Sequence, residues 1–318
     1  MQEVRFGAQL WSQAGDWPGY LRAALAAEAA GWDSIWTWDH LVAIQGPWEQ
    51  PILDGWLAMG ALAARTERVR VGLMVAANTF RTPGQTAKLA ATLDHVSGGR
   101  AILGIGAAYV EREHAAYGLD FGKGAGERLD RMDESVAIIR RLLDGERFTH
   151  EGPAYRLDDA AIFPRPVQAH LPILIGGSGP RKTLRSVARH ADAWNTSGTL
   201  DEVRARDAIL AEHCRAAARD PASIERTVSF PIVIRDDPQE AERAYGAICA
   251  HNGVTEIHGV PPILGTPALA ADRLRPYVEH GFATIIVRLP APYDAETIER
   301  IGEVRSALAS TEAGGRRP

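Results

Sequence analysis

Ile102-Leu103-Gly104-Ile105-Gly106-Ala107-Ala108 and Pro172-Ile173-Leu174-Ile175-Gly176-Gly177-Ser178-Gly179-Pro180 each carry an apolar strand into small residues, a loop and then a helix. Backbone N–H groups at a helix start point outward along the positive end of the helix dipole, so small residues there let a phosphate approach the main chain. The two segments read as halves of one anion cradle at the carboxyl ends of strands, where α/β proteins bind ligands. Plain tight turns are the competing reading. Gly104-Ile105-Gly106 lacks the third glycine of a dinucleotide fingerprint because position 109 is Tyr, and Arg181 stands where a Walker motif needs its second glycine. Pro180 suits the first position of the following helix, with Arg181 and Lys182 adding charge.

Working outward, strand-like and helix-like segments alternate. Val4 to Leu10 is a strand, followed by a helix from Trp17 to Ala30 that Gly31 ends. Strand Ser34 to Trp38, helix Leu53 to Arg65, strand Val69 to Ala76 and helix Pro83 to Val96 lead to strand Ala101 to Gly106 and helix Glu127 to Leu143. Between Arg147 and Gln168 the alternation breaks, and His150 to Tyr155 reads as a hairpin in an insertion. It resumes with strand Ile173 to Gly176, helix Pro180 to His190, strand Asp192 to Asn195, helix Leu200 to Ala218 and strand Thr227 to Ile234. After helix Pro238 to Ala250 comes an irregular stretch, Asn252 to Leu264; helix Ala268 to His280, strand Ala283 to Arg288 and helix Ala295 to Leu308 follow. Eight βα units predict an α/β fold, a (β/α)8 TIM barrel with insertions, in preference to an open sheet. Residues 1–310 read as a single domain and 311–318 as a disordered tail.

The 318 residues are 46% hydrophobic and 24% charged with a net charge of -5, which suits a small-molecule enzyme and argues against nucleic acid as partner. No apolar run reaches the ~18 to 20 residues of a membrane span, and no signal-peptide core follows Met1, so a cytoplasmic protein is expected. Cys214 and Cys249 lie in helix-like sequence and read as free thiols. The histidines are scattered without metal spacing, so no metal is proposed.

Trp11, Trp36, Trp38, Trp48 and Trp56 crowd the ends of the first two strands and suggest an aromatic wall at the barrel mouth, although each also suits a core. Asp39-His40 directly follows the second strand, where a side chain reaches the ligand face. An imidazole there exchanges protons near neutral pH and an adjacent carboxylate orients it or a ligand; a helix cap beside a solvated histidine is the plainer alternative.

Several stretches together resemble the bacterial luciferase-like family, in particular its oxidoreductases that use the deazaflavin coenzyme F420. They are Gly31 to His40, Val71 to Val75 with Thr79-Phe80-Arg81-Thr82-Pro83, Gly98 to Gly106, Glu111-Arg112-Glu113 with Tyr117-Gly118, and Gly176 to Gly179 through Asn195. The resemblance implies a luciferase-like barrel, a homodimer, and a cofactor ring across the mouth. It implies that Asp39 and His40 flank the ring, with His40 catalytic, and that Met74, Val75 and Ala76 buttress it, often through a non-proline cis peptide. Gly106, Ala107, Ala108 and Tyr109, with Gly176, Gly177, Ser178 and Gly179, would hold the phosphate. Trp11, Trp38 and Trp48 would line the substrate side. Many relatives have Gly and Trp at positions 108 and 109, and the sugar-phosphate dehydrogenases have a carboxylate where Tyr109 stands, so glucose-6-phosphate oxidation is not expected. The implied reaction is hydride transfer between coenzyme F420 and a small, fairly apolar substrate, by C=C or C=N reduction or alcohol oxidation. The alternatives are an FMN-dependent monooxygenase and a non-catalytic flavin-binding protein.

Overall fold

The computed structural model describes residues 3–257 and 259–310; the expected tail at 311–318 lies outside the described residues. Eight parallel strands form a closed barrel: β1 Arg5–Leu10, β2 Ser34–Thr37, β3 Arg70–Leu73, β4 Ala101–Gly106, β5 Ile173–Gly176, β6 Ala193–Thr196, β7 Glu225–Ile234 and β8 Thr284–Leu289. Strand β1 pairs with both β2 and β8, and β7 pairs with both β6 and β8, which completes the ring. The helices are α1 Trp17–Ala29, α2 Gly55–Ala63, α3 Pro83–Ser97, α4 Glu111–Tyr117, α5 Ala125–Leu143, α6 Thr183–His190, α7 Leu200–Ala216, α8 Pro238–His251, α9 Pro267–Glu279 and α10 Ala295–Ser310.

Local chemistry sets where the helices start. The Asp16 side chain accepts from the Gly19 N–H to begin α1, and Thr82 with Gln85, like Thr199 with Glu202, forms a reciprocal cap. Helix α3 stops at Gly98, whose φ of 67 is left-handed. Arg100, just beyond it, ties the lower barrel together by donating to the carbonyls of Ala63, Thr66, Val69 and Ser97. The main core lies between strands and helices and includes Phe6, Leu10, Ile35, Leu103 and Ile285; Trp36, Met74, Ile102, Leu174, Ala193 and Ile286 pack as a separate cluster under the mouth. That packed floor makes the barrel a platform and not a pore.

The structure departs from the expected elements in three places. Helix α4 has no counterpart in the sequence reading, because seven residues show too little period to separate a helix from a loop. Helix α6 begins at Thr183 with Lys182 as its cap, so Pro180 does not occupy the first helical position. The third expected strand, Val69 to Ala76, is interrupted: β3 ends at Leu73 and pairing resumes at Ala76–Ala77. Gly72 pairs with Ile102 and Ala76 with Ile105, so three residues face two across the ladder, the count of a β-bulge. The expected hairpin is present as Phe148–Glu151 against Arg156–Ala160, and the irregular stretch ends in a short strand, Ile263–Gly265, beside the end of β7. Among the described residues no helix is long and apolar enough to cross a membrane.

Candidate active site

A cavity of about 470 Å³ opens over the carboxyl ends of the strands, the face on which barrels of this kind carry chemistry. Its floor is Met74 and Val75, whose peptide bond is cis. Gln9 Nε2 donates to the Met74 carbonyl at 3.1 Å and the Met74 N–H donates to the Thr37 carbonyl at 2.6 Å, so the bulge is pinned from β1 and β2.

One wall is polar. His40 Nδ1 lies 3.0 Å from Glu113 Oε1, and Glu113 Oε2 accepts the Leu41 N–H at 2.9 Å. A carboxylate only accepts, so Nδ1 carries the proton and Nε2 is the nitrogen left for the cavity that His40 lines. Glu113 is 1% exposed and stands on α4, which a second histidine holds in place. His114 Nδ1 donates to the Val110 carbonyl at 2.7 Å, and its Nε2 accepts from the Thr79 hydroxyl at 2.7 Å. Thr79 in turn precedes Arg81, whose Nη1 meets Asp39 Oδ2 at 2.6 Å. The Ala77 N–H donates to the same oxygen at 3.0 Å. Burial outweighs both contacts and pushes the Asp39 carboxyl up to about 6. Its other oxygen, Oδ1, is buried without a hydrogen-bond partner among the described residues.

A second part of the wall, at the ends of β4 and β5, is built from missing side chains. A Cβ on Gly106 would come within 2.6 Å of Val75 Cγ2, and one on Gly176 within 2.8 Å of Val75 Cγ1. A Cβ on Gly104 would overlap the Leu73 carbonyl oxygen. These glycines therefore make room first for the protein's own bulge. Gly177, at φ 131, and Ala108, at φ 60, occupy conformations that L side chains rarely adopt. Both line the cavity beside Ala107 and Thr183, at the start of α6. Arg128 Nε donates to the Ala108 carbonyl at 3.3 Å.

The structure thus brings Asp39, His40, Met74, Val75, Gly106, Ala107, Ala108, Tyr109, Gly176 and Gly177 around one space. Ala76 is buried in the ladder against Ile105, and Ser178 and Gly179 are not in the lining. Lys182 contacts Asp130 Oδ2 at 2.6 Å and the Gly126 carbonyl at 3.0 Å, so its charge is already engaged by α5 and it is not in the lining. The tryptophans do not form one wall. Trp11 and Trp38 stack with centroids 4.5 Å apart and line the cavity, Trp36 lies in the floor cluster and Trp56 in the outer core. Trp48 is 40% exposed beneath the Arg112 guanidinium and stands outside the lining.

Sequence reasoning missed Glu113 and Arg81 as partners, although both lie in stretches that carried the family resemblance. It also missed Gln9, Asn195, Ser229 and Arg288, all in the lining. Each of these four is a polar residue directly after an apolar one within a barrel strand, which is the signal that would have found it. Asn195 Nδ2 donates to Thr227 Oγ1 at 2.8 Å and to Ser229 Oγ at 3.0 Å.

Residues 4–260 match the luciferase-like monooxygenase family. A protein of Microbacterium testaceum named F420-dependent glucose-6-phosphate dehydrogenase is 39% identical over 204 residues, 62% of this chain and 58% of that protein, so the chain matches little more than half of that relative's length. One of the same name from Beutenbergia cavernae is 32% identical over 314 residues, 89% of this chain and 90% of that protein. An F420-dependent secondary alcohol dehydrogenase, solved with an F420-acetone adduct, superposes with a TM-score of 0.82 over 96% of this chain and 99% of that one; at 20% identity this is a likeness of fold.

Proposed function

Because the chain belongs to the luciferase-like monooxygenase family, we propose that it is a coenzyme F420-dependent oxidoreductase that moves a hydride to or from a small, fairly apolar substrate. The observation that carries this reading is the His40–Glu113 pair beside an open cavity floored by Met74 and Val75. The names of the two dehydrogenase relatives support the choice of coenzyme.

The residues present suit such a group. Asp39 Oδ1 is a buried acceptor in need of a donor, as the polar edge of a deazaflavin would supply. Met74 and Val75 would back the ring, and the backbone of Gly106 to Tyr109 with Gly176, Gly177 and Thr183 would surround the phosphate. Trp11 and Trp38 would face the substrate. When bound, the coenzyme supplies two-electron hydride chemistry. The chain's own task is then to align the reactants, exclude water and move one proton. Glu113 fixes the His40 tautomer, so Nε2 gives or takes that proton, a contribution of roughly 10² to 10⁴ in rate.

Glucose 6-phosphate, the substrate in the relatives' names, is not proposed here. Arg288 is the only lysine or arginine in the described lining, and the family resemblance implies a carboxylate in those dehydrogenases where this chain has Tyr109. A multiply charged sugar phosphate needs more than one such partner. We expect a cytosolic homodimer, with Leu57 and Val96 offering exposed apolar surface on α2 and α3; a monomeric mass by light scattering would end that expectation.

Equilibrium titration of the purified protein with coenzyme F420 and with FMN tests the assignment. Tighter F420 binding is expected. Tighter FMN binding with oxygen-dependent substrate oxidation would move the protein to the monooxygenases, and binding without turnover to a storage or carrier role.

A further inference from the structure

Tyr109 follows β4 by three residues, and its backbone belongs to the loop expected to hold the phosphate. Its side chain serves another region. The ring meets the His40 imidazole edge-on with centroids 5.6 Å apart and is 67% exposed at the rim of the cavity. Arg288, the second-to-last residue of β8, lines the same cavity and lies close enough for its charge to act on the Tyr109 phenol. The loop at Gly259 packs on the guanidinium: a Cβ there would stand 2.5 Å from Arg288 Nη1, and φ at this glycine is 120.

We propose that the Tyr109 hydroxyl and the Arg288 guanidinium together hold a substrate oxygen that becomes negatively charged, so that the substrates are C=C compounds conjugated to a carbonyl. The proposal rests on the oxidoreductase reading above and names its substrate class. A phenol keeps its proton at neutral pH, so the Tyr109 hydroxyl acts as a donor there. A guanidinium stays charged even where burial lowers its pKa, as it does for Arg288.

The pair of donors decides between the candidate reactions. Reducing a ketone also builds negative charge on the oxygen, but its proton must then go to that same oxygen, where the guanidinium and the phenol would already occupy the lone pairs. Reducing a conjugated C=C separates the two events. Reduced F420, when bound, would supply the hydride and its electron pair for the β-carbon, and the π pair would move onto the carbonyl oxygen as an enolate held by Tyr109 and Arg288. His40, having taken a proton from solvent on Nε2, would then deliver it to the α-carbon as the carbonyl re-forms and return to the neutral Nδ1–H form that Glu113 holds. The coenzyme would supply both electrons, and the product would carry two more hydrogens. The guanidinium and phenol donors are needed on the oxygen and the proton donor on the carbon, which suits two separate groups beside one cavity.

A phenolate imitates the enolate, so 4-nitrophenol reports on the pair without any turnover. In the full-length protein, with and without oxidised F420, it is expected to bind with its anionic form favoured, seen as a gain of the phenolate absorption band. Tyr109→Phe and Arg288→Met should each weaken that binding by about tenfold or more, the usual effect of losing a hydrogen bond to a charged group. Arg288→Lys should restore part of it. F420 affinity should hold in Tyr109→Phe because the backbone is unchanged. In turnover with reduced F420, 2-cyclohexenone should be consumed and cyclohexanone should not. Absence of 4-nitrophenol binding by the wild type, equal binding by the variants, or a preference for cyclohexanone would each overturn the proposal. Failure to bind F420 while the 4-nitrophenol pattern persists would instead overturn the oxidoreductase reading.

Discussion

The two walls of the cavity are ordered by opposite means. On the side of β2 and α4, Asp39, Arg81, His40 and Glu113 are fixed by charge and hydrogen bonds between residues far apart in the chain. On the side of β4 and β5, Gly106 and Gly176 in the wall, and Gly104 two residues back along β4 outside the lining, are fixed by what they lack, the side chains that would collide with Leu73 and Val75. A polar wall built this way is costly to bury but delivers a chosen nitrogen to the substrate. A glycine wall is chemically silent and sensitive to a single carbon atom. The comparison predicts that substitutions on the first wall act on chemistry and pH dependence, and those on the second on folding.

The largest effect is expected at His40. His40→Ala should lower turnover by roughly 10² to 10⁴ while F420 affinity stays within about tenfold, ~1.4 kcal/mol, because the phosphate is met elsewhere. Near-normal turnover with an unchanged pH–rate profile would remove the polar wall from the chemistry. Next is Gly104→Ala, where the new methyl group meets backbone and not a flexible side chain. Urea unfolding should show a loss of about 3 kcal/mol, the upper end of the usual cost of overpacking. A loss within experimental error would mean that the bulge at Val75 relaxes freely and the glycine wall is not rigid.

The smallest and most diagnostic effect concerns Asp39 in the cofactor-free protein. Burial raises its folded pKa from 3.8 to about 6, so between those values the folded state holds more proton than the unfolded one. Stability linked to this group is therefore present below pH 3.8 and lost as pH rises through about 6. Relative to Asp39→Asn, the wild type should lose on the order of 2 to 3 kcal/mol across that window. Parallel stability curves for the two proteins would show that Arg81 and the Ala77 N–H compensate the buried charge fully.

Much of the barrel was legible from alternation alone, because apolar strands such as Ala101–Gly106 and amphipathic helices such as α5 carry their period locally. Helix α4 was not, and with it went Glu113, whose partner lies 73 residues away in the chain. Asp39 and His40 were visible as a pair at a strand end, but nothing local distinguished their separate attachments to Arg81 and Glu113. The glycines at 104, 106 and 176 were noticed as room for a ligand, whereas much of that room belongs to Val75.

The sequence by itself therefore determined the elements, their order and the end of the barrel at which small and polar residues collect, since each is written in spacing between near neighbours. Only the tertiary structure decided which carboxylate orients His40, which arginine meets Asp39, and that Trp48 and Ser178 stand outside the cavity that Trp11 and Gly177 line. The reason is physical. Periodicity is a property of a helix or strand and survives in one dimension, while ion pairs and close approaches depend on ring closure of eight strands, which brings together residues that no local pattern relates.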